Sequence, residues 1–200
     1  MNLDLLPGLA GFALVSSITP GPNNLMLMAS GANFGLRRTL PHMFGVGTGF
    51  VAMVFLVGIG LMQIFDAYPI SYTVLKYVSV AYLLWLAWKI GSAAPRFPDA
   101  PGPKAQPITF LQAAAFQWVN PKAWSMAVTA ISIHTADHTM AGIGLVALLF
   151  GIINIPSVGC WTILGQQMRR FLTNPARLRA FNITMALLLV ATLWPMLRAG

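Results

Sequence analysis

Four stretches of this chain carry no charged side chain at all: Leu5 to Leu36, Thr39 to Phe65, Thr139 to Met168 and Ala180 to Pro195. At a rise of about 1.5 Å per residue they are long enough to cross a hydrocarbon core of roughly 30 Å. Tyr72 to Trp88 and Phe110 to Ile133 hold one lysine each, Lys76 and Lys122, and still fit a span. With 57% apolar and 8% charged residues, the chain lacks the polar surface a water-soluble domain needs. The expectation is an all-α integral membrane protein with six transmembrane helices.

The first window is also where a cleaved leader would lie. Only Asp4 is charged before it, the apolar run is too long for a leader's core, and it contains Pro20-Gly21-Pro22. It is read as a retained span. Arg37 and Arg38 follow span one, Lys89, Arg96 and Lys104 follow span three, and Arg169, Arg170, Arg177 and Arg179 follow span five. The intervening loops carry Asp66 and Asp137 but no Lys or Arg. By the positive-inside rule the odd-numbered connections face the cytoplasm and both termini lie outside. Arg198 is a weak opposing signal.

The net charge of +8 is therefore a topology signal and a contact for anionic membrane lipids, and it does not call for nucleic acid as a partner. The single cysteine, Cys160, permits neither an intrachain disulfide nor a cysteine metal cluster. His134, Asp137 and His138 crowd one short loop without the spacing of a closed metal site, so no metal and no cofactor are expected. Gly45, Gly47, Gly49, Gly58 and Gly60 give span two a face that permits close helix approach, within one protomer or across a homodimer.

The segment from Gly91 to Pro107 holds Pro95, Pro98, Pro101, Pro103 and Pro107 and has no hydrophobic periodicity. It reads as a cytoplasmic linker, 91–107, between a first unit, 1–90, and a second, 108–200. Each unit holds three spans, and because three is odd the second set must enter the membrane with opposite orientation. That is the inverted-repeat arrangement of many secondary transporters. Both units carry the same disturbance: Ser16-Ser17-Ile18-Thr19-Pro20-Gly21-Pro22-Asn23-Asn24 in span one and Gln117-Trp118-Val119-Asn120-Pro121-Lys122-Ala123 in span four. Proline removes a backbone donor, and the freed groups are tolerated in a membrane only where they are buried in protein or line a cavity.

A helix broken at mid-depth presents amides with partial positive charge where the second half begins, and carbonyls with partial negative charge where the first half ends. A zwitterion has a carboxylate for the former and an ammonium for the latter. Pro20 and Pro22 suit the first turn of a continuing half-helix, with Thr19 as its cap and Gly21 letting backbone approach a ligand. Asn23 and Asn24 add amide donors and acceptors. In span four, Asn120 can cap a half-helix that starts at Pro121. Lys122 has two readings: it attracts a substrate carboxylate along a water-filled path, or it snorkels to a cytoplasmic interface. His42, beside Pro41, is the candidate for proton coupling, with a residue at the cytoplasmic interface as the competing reading. Asn154 and Pro156 form a third disturbance, bending span five.

These motifs resemble the LysE/RhtB family of amino-acid exporters. The resemblance is carried by Ser17-Ile18-Thr19-Pro20-Gly21-Pro22-Asn23, Gly35-Leu36-Arg37-Arg38, Leu75-Lys76-Tyr77 with Ala81 to Lys89, and Asn120-Pro121-Lys122-Ala123, and it covers essentially the whole chain. It implies a secondary transporter of the bacterial inner membrane that expels an amino acid in exchange for protons. The family's signature falls on Thr19, Pro20, Gly21, Pro22, Asn23, Asn120, Pro121 and Lys122, which are the candidate substrate-binding residues. Ile131 to Thr135 and His42 depart from the family's usual pattern and leave the substrate and the coupling open.

No Asp or Glu lies in any expected span, which argues for a neutral amino acid over lysine or arginine. A basic amino-acid exporter of the same fold and a channel-like, ion-handling protein are the competing functions. An enzyme is not expected, since no nucleophile–base pair is clustered.

Overall fold

The computed structural model describes residues 6–93, 106–135 and 139–198, and every element in it is helical. Most of the linker, including Arg96 and Lys104, lies outside the described residues, as do Asp4, Asp137 and His138. In chain order the helices are α1 (Leu6–Ile18), α2 (Pro22–Phe34), α3 (Leu36–Leu56), α4 (Met62–Ala67), α5 (Ile70–Gly91), α6 (Phe110–Phe116), α7 (Pro121–His134), α8 (Met140–Met168), α9 (Pro175–Ala191) and α10 (Leu193–Arg198).

Three helices are long and apolar enough to cross a membrane without interruption: Leu36–Ala67, which joins α3 to α4, then α5 and α8. The other expected spans are shorter for identifiable reasons. Span one is split into α1 and α2 at Thr19-Pro20-Gly21, and span four into α6 and α7 through a single tight turn, Gln117–Val119, followed by Asn120. Span six, α9, runs 17 residues before the chain turns at Thr192. α3 passes into α4 through a wider turn, Val57–Leu61, where Gly60 takes φ 110°. An L side chain rarely adopts that conformation.

Helices from the two sides of the expected linker pack against one another. α1 and α2 both lie along α8, α6 lies along α3, α3 crosses α8, and α5 pairs with α9. Each broken helix is thus packed on an unbroken helix from the other side of the linker. The closest approaches are made by glycine. A Cβ on Gly31 would overlap the Thr162 backbone and one on Gly165 the Met28 backbone, which pins α2 to α8. Gly45 and Gly49 meet the backbone of Phe110 and Ala114 and pin α3 to α6. Gly45 and Gly49 are therefore used inside one protomer.

The largest packed cluster fills the space between α1, α3, α7 and α8, with Phe150 at its centre. Phe50 meets Phe150 edge-on at 5.3 Å and Phe12 does so at 6.0 Å. Apolar residues also cover the outside, where Leu111, Trp88 and Leu187 are exposed. Lipid tails solvate such residues as well as a protein interior would, so close packing and hydrogen bonds hold the helices together.

One end of the bundle gathers the cationic connections. Leu36 N donates to Gln166 Oε1 at 2.6 Å, Asn33 Nδ2 to Asn182 Oδ1 at 2.9 Å, and Asn182 Nδ2 to the Ala93 carbonyl at 3.5 Å. Arg37, Arg38, Lys89, Arg169 and Arg170 all lie within a few residues of these contacts. Asp66 lies at the far end of α4, where it accepts a hydrogen bond from Tyr72 Oη at 2.7 Å.

Candidate functional site

Pro20 and Pro22 lack the amides that would continue α1, so the carbonyls at its end need other donors. Each has one. Ser16 O accepts from Thr19 Oγ1 at 3.1 Å, Ser17 O from Asn24 Nδ2 at 2.8 Å, and Ile18 O from Trp161 Nε1 on α8 at 2.9 Å. Thr19 O accepts from Asn24 Nδ2 and from Lys122 Nζ, both at 2.7 Å, and Pro20 O accepts from Lys122 Nζ at 3.3 Å. Gly21 O is taken by the amide of Leu25 at 3.0 Å.

Lys122 is the cation of this arrangement. Its ammonium makes three contacts with the first break, the third being to Thr19 Oγ1 at 2.9 Å. The side chain reaches across to the other broken helix. Helix dipoles explain the direction. A cation in the first turn of α7 is poorly placed, and it is well placed at the carbonyl end of α1.

Gly21 makes the crossing possible, because a Cβ there would come within 2.7 Å of Lys122 Cδ. Its backbone is extended, at φ −178°, so room for Lys122, not backbone freedom, is what a glycine supplies here. A second cross-link runs beside it. Asn23 Nδ2 donates to Gln117 Oε1 at 2.8 Å, Gln117 Nε2 donates back to Asn23 Oδ1 at 3.2 Å, and Gln117 Nε2 also donates to Ala113 O at 2.9 Å.

The starts of the two second halves differ. α7 is capped as expected: Asn120 Oδ1 accepts from Lys122 N at 3.2 Å, and the Asn120 carbonyl accepts from the amides of Ala123 and Trp124. α2 has no such cap. Gly21 occupies the cap position, Pro22 the first helical position, and Thr19 faces back toward α1, so Thr19 is not the cap and Pro20 is not in the helix. The amides of Gly21, Asn23 and Asn24 consequently have no acceptor among the described residues. Three free donors at the positive end of a helix form a surface for an anion.

Two cavities meet at this point. A pocket of about 20 Å³ lies between the breaks, lined by Ser17, Asn24, Asn120 and Asn154 among others. A cleft of about 660 Å³ opens on the other side, walled by Pro22, Tyr72, Leu75, Pro121 and Trp124. Gly21 and Lys122 border both.

Thr19, Pro20, Gly21, Pro22, Asn23, Asn120, Pro121 and Lys122 are thus brought together at one junction. His42 is not part of it: it lies on α3, fully buried, with neither ring nitrogen partnered among the described residues. Among the described residues no group of His, Cys, Asp or Glu is arranged to hold a metal ion.

Sequence reasoning missed the parts played by Gln117, Trp161 and Asn154. The signal for Gln117 was its amide inside an apolar run four residues after Ala113. Trp161 gave none beyond its size.

The LysE type translocator family matches residues 14–192 of the chain. The cysteine/O-acetylserine efflux protein of Escherichia coli (strain K12) is 33% identical over 195 residues, which cover 95% of this chain and 96% of the relative. The protein of the same name from Shigella flexneri is 34% identical over 191 residues, covering 93% and 94%. No solved structure matches. The chain belongs to the LysE family of amino-acid efflux translocators: it is a multi-pass protein of the bacterial inner membrane and a transporter rather than an enzyme.

Proposed function

We propose that this translocator exports small neutral amino acids of the cysteine and O-acetylserine kind in exchange for protons. The halves 1–90 and 108–200 act as inverted three-helix repeats, joined by the linker 91–107, and give alternating access to a site between the Pro20 and Pro121 breaks. The observation that carries this reading is the uncapped start of α2 beside the Lys122 ammonium. The free amides of Gly21, Asn23 and Asn24 receive the substrate carboxylate, Lys122 adds its charge, and the cleft of about 660 Å³ takes the side chain.

The crossed packing of α1 and α2 on α8, and of α6 on α3, supports the paired-repeat reading. The gathering of cationic loops at one end supports a cytoplasmic face there, with both termini outside. A neutral substrate is favoured because the described spans offer no carboxylate to receive a second cation. The relatives' names supply the two substrates to try first.

Counterflow in proteoliposomes tests the reading. Radiolabelled O-acetylserine or cysteine should exchange saturably with the same compound inside, and an outward-driving pH gradient should accelerate it. Current without exchange would put a channel in its place.

His42 carries the proton in this scheme. Both of its ring nitrogens are without a partner among the described residues, and one of them can accept a proton. Among the described residues, the helices packed on α3 present no Asp or Glu, and Lys122 on α7 is their one lysine or arginine. His42→Gln should retain exchange but lose its acceleration by the gradient. A variant that keeps the full acceleration removes His42 from the coupling.

A further inference from the structure

Asn154 sits two residues before Pro156 on α8 and is 5% exposed. Its amide nitrogen donates to Ser17 Oγ at 3.1 Å, but Oδ1 has no partner among the described residues. A buried amide oxygen without a donor is destabilising, and native structures keep few of them. Asn154 lines the small pocket between the breaks together with Ser17, Asn24 and Asn120, with Lys122 at its border, and its Oδ1 is itself buried.

Volume limits what enters. About 20 Å³ gives room for one water-sized group. Of the three residues whose amides receive the carboxylate, Gly21 borders both cavities and Asn23 and Asn24 border the small pocket. A substrate held there therefore extends into the cleft past Gly21 and has room for only a small group in the pocket. Chemistry limits the choice further. The unused atom is an acceptor, the side-chain donors of Asn24 are held by Ser17 O and Thr19 O, and the Lys122 ammonium is held by Thr19 and Pro20. A carboxylate would face the Asn154 oxygen with like partial charge. A primary ammonium is water-sized and brings the missing donor.

We propose that Asn154 Oδ1 accepts a hydrogen bond from the substrate's α-ammonium in this pocket, which makes a free amino group a requirement for binding. The inference rests on the export reading for the class of ligand, and it adds the residue that selects that class. Asn154 and Ser17 come from opposite sides of the linker, so the ammonium also bridges the two units.

The test is binding to the purified protein, read as ligand-induced thermal stabilisation, with three probes: O-acetylserine, its N-acetylated form, and 3-acetoxypropionate, which lacks the amino group. Wild-type protein should favour O-acetylserine over both others by about tenfold or more, the scale of one hydrogen bond to a charged group. Asn154→Leu should bring the three to within about threefold of one another. Asn154→Asp keeps an acceptor and should preserve or enlarge the preference.

Equal binding of all three probes to wild-type protein overturns the proposal. So does a preference that survives Asn154→Leu, or one that Asn154→Asp abolishes, since the latter means that the amide presents its nitrogen to the pocket. Counterflow of the wild-type protein is scored separately: transport without the Asn154 effect leaves the export reading standing, and selective binding without transport leaves the ammonium site standing.

Discussion

Replacing Lys122 with methionine is expected to slow exchange about 100-fold while the protein still inserts and folds. Methionine has a similar length and no donor. Thr19 O keeps its bond from Asn24 Nδ2, and Ser17 O and Ile18 O keep theirs from Asn24 and Trp161, so the end of α1 remains largely satisfied. Pro20 O loses its protein donor, and the breaks lose the charged one of their two cross-links. Charge-assisted hydrogen bonds contribute about 1.5–3 kcal/mol each, and a hundredfold in rate corresponds to about 2.7 kcal/mol.

Arginine should not rescue the loss. Its planar head needs more width than an ammonium, and the stem already passes so close to Gly21 that a single added carbon would lie 2.7 Å away. The measurement is the initial counterflow rate at matched incorporation, with thermal unfolding as a check on the fold. A Lys122→Met rate within threefold of wild type would show that the ammonium only fastens the break.

The positions of both breaks were legible in the sequence because their causes are local. Pro20, Pro22 and Pro121 each remove a backbone donor from a run that is otherwise apolar, and Asn120 sits where a cap must sit. What closes the breaks was not legible, because the partners are far apart in the chain: Gln117 is 94 residues from Asn23, Lys122 is 103 from Thr19, and Trp161 is 143 from Ile18. In a water-soluble helix, apolar periodicity would at least have marked the inward face. Here lipid is as apolar as the interior, so Leu83 inside and Leu84 outside look alike in sequence. The burial of His42 was not legible for the same reason: its place near the start of a span fits an interface as well as an interior, and only the packing of α3 buries it completely. The glycines were legible as close-approach positions but not as to their partners, since only the fold decides which backbone lies opposite.

The seam between α2 and α8 is where a single side chain should do most damage to the fold, and Gly165→Leu is expected to yield no stable, monodisperse protein. The two glycines are used reciprocally: Gly31 lies against the backbone of Thr162, and Gly165 lies against the backbone of Met28. Overfilling a packed core typically costs about 1–3 kcal/mol when neighbouring side chains can shift. Here the obstacle is a carbonyl of the facing helix, so relief requires the helices to move apart along their contact. That separation would also withdraw Trp161 from Ile18 O and move the uncapped start of α2 away from Asn154.

Gly144→Leu is the matched control. It lies on the same helix, and an added Cβ there meets nothing within 4 Å, so it should change stability by less than about 1 kcal/mol. Size-exclusion profiles and unfolding temperatures in one detergent would separate the two variants. Equal behaviour of Gly165→Leu and Gly144→Leu would mean that the α2–α8 seam can open without loss of the fold. The helix start proposed to hold the substrate carboxylate would then be free to move relative to α8, and the two ends of the zwitterion would no longer be held at a fixed spacing.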